Sequence, residues 1–408
     1  MNGRSDNVLI AALGTSQTLA WASSYYLPAI LADSIARDLG VSSNWIFAAF
    51  SAALVISGLL GPRIGRQIDL VGGRQVLSAS NVILAAGLVL LGFSQSVLMM
   101  MAAWLLLGLG MGLGLYDAAF AALGGIYGTA ARRSITGITL LAGFASTVGW
   151  PLSAWGLDTI GWRNTCFAWA AAHIVIGLPL NLLFLPQGPK TPPIAGGHVK
   201  PRIQLDRTMV LLAFAFAAAW SVTSAMAAHL PRILEALGAT SVQAVTAGMF
   251  IGPAQVAARI FEASVLKRYH TIFSTRLACL THPLGACIIG IFGGGVASMF
   301  ALLHGAGNGV LTIARGTLPL SIFGPENYGY RLGIIGAPSR ICQALAPLAF
   351  GFLIVPLGGY VLVVTSALSV AALVALSFVG ATTRSDPPKG AGETSTAPAQ
   401  AGCCHRRS

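Results

Sequence analysis

Charge is what this chain of 408 residues has least of. Asp, Glu, Lys and Arg together make up 9% of it, against about 25% in soluble domains. Apolar residues reach 55%, so the polar remainder is too small to cover a water-facing surface. Enzyme signatures are missing as well. There is no phosphate-cradling GxxxxGK[ST] loop, no spaced Cys/His metal set and no nucleophile–base pair, which argues against an enzyme and against ATP-driven work within this chain. The six cysteines form no disulfide framework. Cys166, Cys279, Cys287 and Cys342 are scattered through apolar stretches, where Cys behaves as a small apolar residue. Cys403-Cys404-His405 lies in a Pro-, Gly-, Ser- and Thr-rich tail that reads as disordered. Two thiols and an imidazole suit a soft metal or metalloid, but adjacent cysteines do not space a defined zinc site. No cofactor or metal is assigned.

Long apolar runs take the place of charge. One bilayer crossing needs about 20 apolar residues, and twelve runs qualify, with rough limits 8–30, 44–64, 76–95, 97–126, 134–157, 164–186, 208–230, 242–266, 273–294, 297–323, 332–356 and 359–381. They are continuous rather than alternating, so they read as helices and not as barrel strands. The start, MNGRSDN, has no basic cluster before a short apolar core, so the first run reads as a permanent span rather than a signal peptide.

Lys and Arg set the expected orientation. With the N-terminus inside, 18 fall in inner loops and tails, among them Arg63, Arg66, Arg74, Arg132 and Arg133, while only Arg37, Arg163 and Arg232 lie outside. The positive-inside rule then places both termini in the cytoplasm. The formal net charge of +12 faces an anionic inner leaflet, and no nucleic-acid partner is needed to explain it.

The chain reads as built twice. A Pro- and Gly-rich basic break from Pro186 to Arg207 divides the spans six and six. Leu27-Pro28-Ala-Ile-Leu31 recurs as Leu230-Pro231-Arg-Ile-Leu234, and Leu39-Gly40-Val-Ser-Ser43 as Leu237-Gly238-Ala-Thr-Ser241. The expected fold class is an all-α polytopic membrane protein with twelve transmembrane helices in two pseudo-symmetric six-helix bundles. The expected divisions are 1–186, a linker 187–207, 208–382 and a tail 383–408. Duplicated halves suit alternating access, with a site near the midplane rocked between two bundles.

The turn after the second span carries Gly65, Asp69, Gly72 and Arg74. Its glycines permit a sharp bend, and its acid suits a helix cap or a gate contact. With twelve spans and a repeat, this segment resembles the signature loop of the major facilitator superfamily. Leu70 and Gly73 stand where that pattern has basic residues, and Leu266 to His270 in the second half has lost it. Gly143-Phe-Ala-Ser-Thr-Val-Gly149-Trp-Pro151, followed by Gly161-Trp162-Arg163, is similar to the bacterial relatives of monocarboxylate transporters. The acidic first-span motif of the classical carriers is absent, and the fourth span lacks the Arg that many proton-coupled drug exporters carry. The resemblance implies a major facilitator fold and a transporter in a bacterial inner membrane, working as a monomer on a small molecule.

Five charges lie deep inside the spans, away from their ends: Asp117, Arg259, Glu262, Arg315 and Arg340. Each costs roughly 3 kcal/mol at membrane depth unless paired or wetted, so such residues mark pathways. The resemblance implies that spans one, four, seven and ten line the cavity. The repeat offset sets Asp117 of the fourth opposite Arg315 of the tenth. An acid whose cationic partner leaves on opening suits a proton carrier, and Arg suits a carboxylate. Arg259 and Glu262, three apart, can share one helix face. The substrate-contact candidates are Arg315, Arg259, Arg340, Tyr116, Asn308, Tyr25, Tyr26 and Gln17, with Asp117 as proton carrier and Gly65, Asp69, Gly72 and Arg74 as a gating loop. His173, His229, His282 and His304 titrate near neutrality when exposed, but a single His on an apolar helix more often packs than relays protons. The leading expectation is proton-coupled symport of a small organic anion such as a monocarboxylate. Efflux of a drug or of a metalloid such as arsenite is the alternative, and a non-transporting sensor a distant third.

A reporter fused after Ser408 tests the orientation: it is expected to be active only in the form that works in the cytoplasm, and a periplasmic signal would reverse the topology.

Overall fold

The computed structural model describes residues 3–187 and 205–380. Most of the 187–207 linker and all of the 383–408 tail, including Cys403-Cys404-His405, lie outside the described residues. The described residues are helical almost throughout. In chain order the helices are α1 (Gly3–Ala20), α2 (Pro28–Asp38), α3 (Ser43–Val71), α4 (Gly73–Gly92), α5 (Val97–Gly114), α6 (Tyr116–Tyr127), α7 (Arg132–Ala142), α8 (Ala145–Ala172), α9 (Leu178–Phe184), α10 (Arg207–Ala236), α11 (Ser241–Ser264), α12 (Thr271–Phe292), α13 (Ala297–Phe323), α14 (Tyr328–Leu357) and α15 (Val361–Ser377).

Eight continuous helical stretches are long and apolar enough to cross a bilayer. The 88-residue stretch Val97–Phe184 holds spans four, five and six of the sequence reading, and the 50-residue Tyr328–Ser377 holds spans eleven and twelve. The first span is not among them, because α1 opens with Arg4, Asp6 and Asn7 and a π turn at Trp21–Tyr25 separates it from α2. With that span added, twelve rods occupy the places read from the sequence.

Local chemistry sets most ends. Ser42 accepts from Asn44 N–H to start α3, Ser96 from Met99 N–H to start α5, and Asp206 from Met209 N–H to start α10. Thr240 and Gln243 form a reciprocal capping box at α11. Inside α8 the backbone turns sharply at Gly161, where φ is +80°, a conformation that favours glycine. The fifth span is likewise broken at Gly143–Phe144 rather than continuous. Gly149 lets α8 approach the π turn closely, since a Cβ there would lie 2.6 Å from Ala22 Cβ.

The halves meet along α3 and α14. Gly58, Gly61 and Gly65 form one stripe and Gly329, Gly333 and Gly336 the other, at helical spacing. A Cβ on Gly61 would stand 3.3 Å from the Gly333 carbonyl oxygen, one on Gly333 would lie 2.7 Å from Pro62 Cα, and one on Gly65 would overlap the Gly329 carbonyl. Backbone rests on backbone, the close approach that small residues allow in lipid. This seam lies on the side that holds the Gly65–Arg74 turn. On the far side, α2 and α8 pack within their own half. The conformation is therefore closed on the turn side.

Gly333→Leu, which puts a side chain where even a Cβ would lie 2.7 Å from Pro62 Cα, is expected to keep this seam from closing and to lower transport, with labelling of a cysteine placed at Ala118 in the crevice beside it rising. Unchanged transport and labelling would show that the backbone contact is not needed.

Candidate functional site

The glycine-rich fourth span, GLGMGLGLYDAAF, does not run straight. Its helix stops at Gly114, Leu115 is extended (φ −81°, ψ −173°), and α6 restarts at Tyr116 with Asp117 in its first turn. A broken helix in a membrane needs substitute partners for its freed backbone groups. Gln17 supplies one, its Nε2 donating to Gly114 O at 2.5 Å. The first turn of α6 meanwhile presents the positive end of a helix dipole to the Asp117 carboxylate.

Asp117 draws two arginines from the other half. Arg315 Nε and Nη2 donate to its two oxygens at 2.7 Å each, a bidentate fork, and Arg340 Nη2 approaches Oδ2 at 3.4 Å. The arginine side chains are 4% and 5% exposed and the acid 22%, so the carboxylate is the open member. Each guanidinium also faces an indole: Arg315 lies 4.8 Å from the Trp220 ring centre and Arg340 5.8 Å from that of Trp21. Two buried cations thus share one anion. Arg315 Nη1 and Arg340 Nε have no partner.

Aromatic rings wall the cluster. The π turn brings Trp21 to 5.1 Å from Tyr25, 6.1 Å from Tyr26 and 4.8 Å from Tyr116, centre to centre. Tyr116 stacks on Phe120, and Tyr25 meets Phe50 edge-on. Gln343, which the sequence reading missed, links the walls to the charges, accepting from Arg340 Nη1 at 3.4 Å and donating to Tyr25 OH at 2.8 Å. Its i+3 spacing from Arg340 was the available signal. A narrow crevice reaches Asp117 and Arg340 between α3, α5 and α14.

Two candidates stand apart. Asn308 accepts from Thr223 Oγ1 at 3.2 Å and lines a second crevice, within the later half, together with His282 and His304. Those two imidazoles share a hydrogen bond of 3.0 Å, and His282 also bonds Thr365. His173 bonds Ser23 and Asn81, and His229 bonds the Pro347 carbonyl. Arg259 gives all three nitrogens to neutral acceptors, namely Gly309 O, Thr139 O and Gln255 Oε1, at 3.4, 2.7 and 3.3 Å.

The pairing of Arg259 with Glu262 on one helix face is corrected. Glu262 takes Arg132, from the first half, at 2.5 Å. Arg132 also donates to Tyr269 O at 3.2 Å. The cross-half partner prevails because Arg259 is already bound to Thr139, across the same seam. His270, heading α12, accepts from Ile272 N–H through Nδ1. Burial, then Arg132 and Arg276, hold it below the usual histidine range, so it stands neutral beside this lock.

In the signature turn, Gly72 forms the corner with φ +82° and Arg74 lies in the first turn of α4. Asp69 accepts from Gly329 N–H and Tyr330 N–H, both at 2.8 Å. It caps the N-terminus of α14, a helix of the other half, where a carboxylate complements the dipole. On the far side, Arg163 pairs with Asp38, Trp162 Nε1 donates to the same carboxylate at 3.1 Å, and Arg163 Nη2 donates to Ser94 O at 2.9 Å. The Gly-Trp-Arg motif therefore ties ends together within one half.

Two halves closing on a charge cluster beside a broken helix define the class: a polytopic transporter, not an enzyme. The Major Facilitator Superfamily model matches residues 13–303, and the chain belongs to that superfamily. No curated protein matches it in sequence. Among solved structures, the human organic anion transporter MFSD10 (TETRAN) is similar with a TM-score of 0.70 at 17% identity, over 93% of this chain and 100% of that one. The proton:xylose symporter XylE bound to 6-bromo-6-deoxy-D-glucose is similar with a TM-score of 0.67 at 14% identity, over 92% and 95%. At these identities the likeness establishes the fold.

Breaking one member of a buried charge pair typically costs about 3–5 kcal/mol. Arg315→Gln removes the bidentate partner and Arg340→Gln the longer one, so Arg315→Gln is expected to lower the Tm further. Adding Asp117→Asn to Arg315→Gln leaves Arg340 buried without a counter-ion, so the double variant is expected to melt lower still. Equal shifts for the two arginine variants would refute the bidentate assignment.

Proposed function

We propose that the chain is a proton-coupled secondary transporter of a small organic anion, with a monocarboxylate as the simplest case. The single observation that carries this reading is the imbalance at Asp117: two buried guanidiniums hold one carboxylate and keep unpartnered N–H groups. A buried cation in excess attracts an anion, and Arg's planar fork suits a carboxylate. MFSD10's description as an organic anion transporter and XylE's as a proton symporter are compatible with it.

The coupling follows from charge. When Asp117 takes a proton it releases the Arg315 fork, which turns to the substrate carboxylate. Proton and anion bring opposite charges, so the empty and the loaded site carry the same net charge. A complete cycle therefore moves no net charge across the membrane potential. The halves 1–186 and 208–382 rock about the linker 187–207. Asp69 on α14 and Arg132 on Glu262 hold the cytoplasmic face shut, and the chain acts as a monomer in the bacterial inner membrane with both termini inside. Arg259 serves this seam, since no nitrogen of its guanidinium is free.

Purified protein in liposomes with an inward proton gradient is expected to accumulate labelled monocarboxylates, with uptake insensitive to an imposed potential. Asp117→Asn is expected to lose gradient-driven accumulation by about tenfold or more, while counterflow exchange continues. If no acid moves, or Asp117→Asn keeps the same pH dependence, the reading is wrong.

A further inference from the structure

We infer that the anion is a planar aromatic carboxylate that also carries a hydroxyl or amino hydrogen-bond donor. This rests on the anion reading above and narrows it. Four buried polar atoms at the cluster have no partner: Arg315 Nη1, Arg340 Nε, Trp21 Nε1 and Gln17 Oε1. Their residues are 3%, 4%, 8% and 1% exposed. Such groups are costly to leave unpaired in a membrane interior, so a ligand that pairs them gains more than it would in water.

The set is asymmetric. Three of the atoms are donors, which a carboxylate satisfies because an ionised carboxylate only accepts. The fourth accepts, and no carboxylate serves it. Its identity is fixed by its own amide: Gln17 Nε2 is committed to the Gly114 carbonyl at 2.5 Å, and turning the amide over would set two oxygens face to face. Gln17 stands four residues before Trp21, one helical turn along the same face, and the Trp21 ring lies against Arg340. The ligand must therefore present a donor as well as its carboxylate.

The walls define the body of the molecule. Trp21, Tyr25, Tyr26, Tyr116 and Phe50 form a chain of rings with centres 4.8 to 6.1 Å apart. Beyond it, Tyr26 meets Trp150, which is 44% exposed, so the chain of rings runs from the charges to the surface of the fold. Flat aromatic faces stack well on such rings. A sugar has many hydroxyls to pair and would leave most of them unmatched here. A dicarboxylate brings a second charge, yet the remaining deep cation, Arg259, already gives every nitrogen to a neutral acceptor.

The test uses the whole protein in proteoliposomes with an inward proton gradient and labelled benzoate, 4-hydroxybenzoate, lactate, succinate and xylose. Hydroxybenzoate is expected to have the lowest KM, about tenfold below benzoate for one satisfied buried acceptor, with benzoate below lactate and no uptake of succinate or xylose. In Gln17→Leu the hydroxybenzoate-to-benzoate ratio of kcat/KM is expected to fall towards one. Quenching of tryptophan fluorescence by hydroxybenzoate in detergent gives a binding readout that does not depend on turnover, and Trp21→Phe is expected to diminish it. If lactate is transported and the aromatic acids neither move nor compete, the aromatic assignment is overturned while the anion reading stands. If only xylose moves, both fall. A KM ratio unchanged in Gln17→Leu overturns the donor requirement.

Discussion

The structure depends on one constraint: a carboxylate and two guanidiniums must be kept out of water without being left alone. Asp117 sits in the first half, and both cations that hold it, Arg315 and Arg340, come from the second. The cluster is thus a bond between halves as well as a charge store. Separating the halves strands three charges at membrane depth unless a proton or an anion replaces what is lost. This is why a charge cluster across a movable interface is chemically different from the Arg163–Asp38 pair, whose partners travel together in one half.

The supporting structure serves that constraint. Breaking the fourth span at Leu115 turns a helix N-terminus towards Asp117, and the cost of the break falls on Gly114 O, which Gln17 satisfies. The seam that shuts one face uses two helix ends of opposite polarity. A carboxylate caps the N-terminus of α14, and Arg132 gathers the Glu262 carboxylate with carbonyls beyond the C-terminal end of α11. Each lock matches charge to dipole. The Asp69 cap is worth about 0.5–2 kcal/mol, whereas Glu262, 1% exposed, makes the Arg132 pair a largely buried one that is costly to break from one side. The glycine stripes hold the same seam through contact alone.

Much of this was legible in the sequence. The twelve runs, the repeat and the opposition of Asp117 to Arg315 all follow from patterns of period and offset, and the structure joins those two side chains. What the offset cannot find is a partner without a counterpart. The position matching Arg340 in the first half is Ala142, so nothing in the repeat announces a second guanidinium on the same acid. Proximity in sequence misled in the opposite sense at Glu262, where Arg259 is three residues away but Arg132, 130 residues away, forms the bond. Asn308 lies seven residues from Arg315, about 10 Å along the helix, and turns into the imidazole crevice of its own half instead. Distances along a helix are readable from sequence, but the neighbour across an interface is not.

Two crevices of the molecule separate two kinds of polar burial. His282, His304 and Thr365 satisfy one another within the later half. Such a network specifies packing. At Asp117 the network spans the interface, and it is there that the arginine edges, the Trp21 indole and the Gln17 carbonyl go without partners. Incomplete hydrogen bonding in a packed bundle would be a defect at the first place. At the second it leaves donors and an acceptor open at the boundary between the two halves.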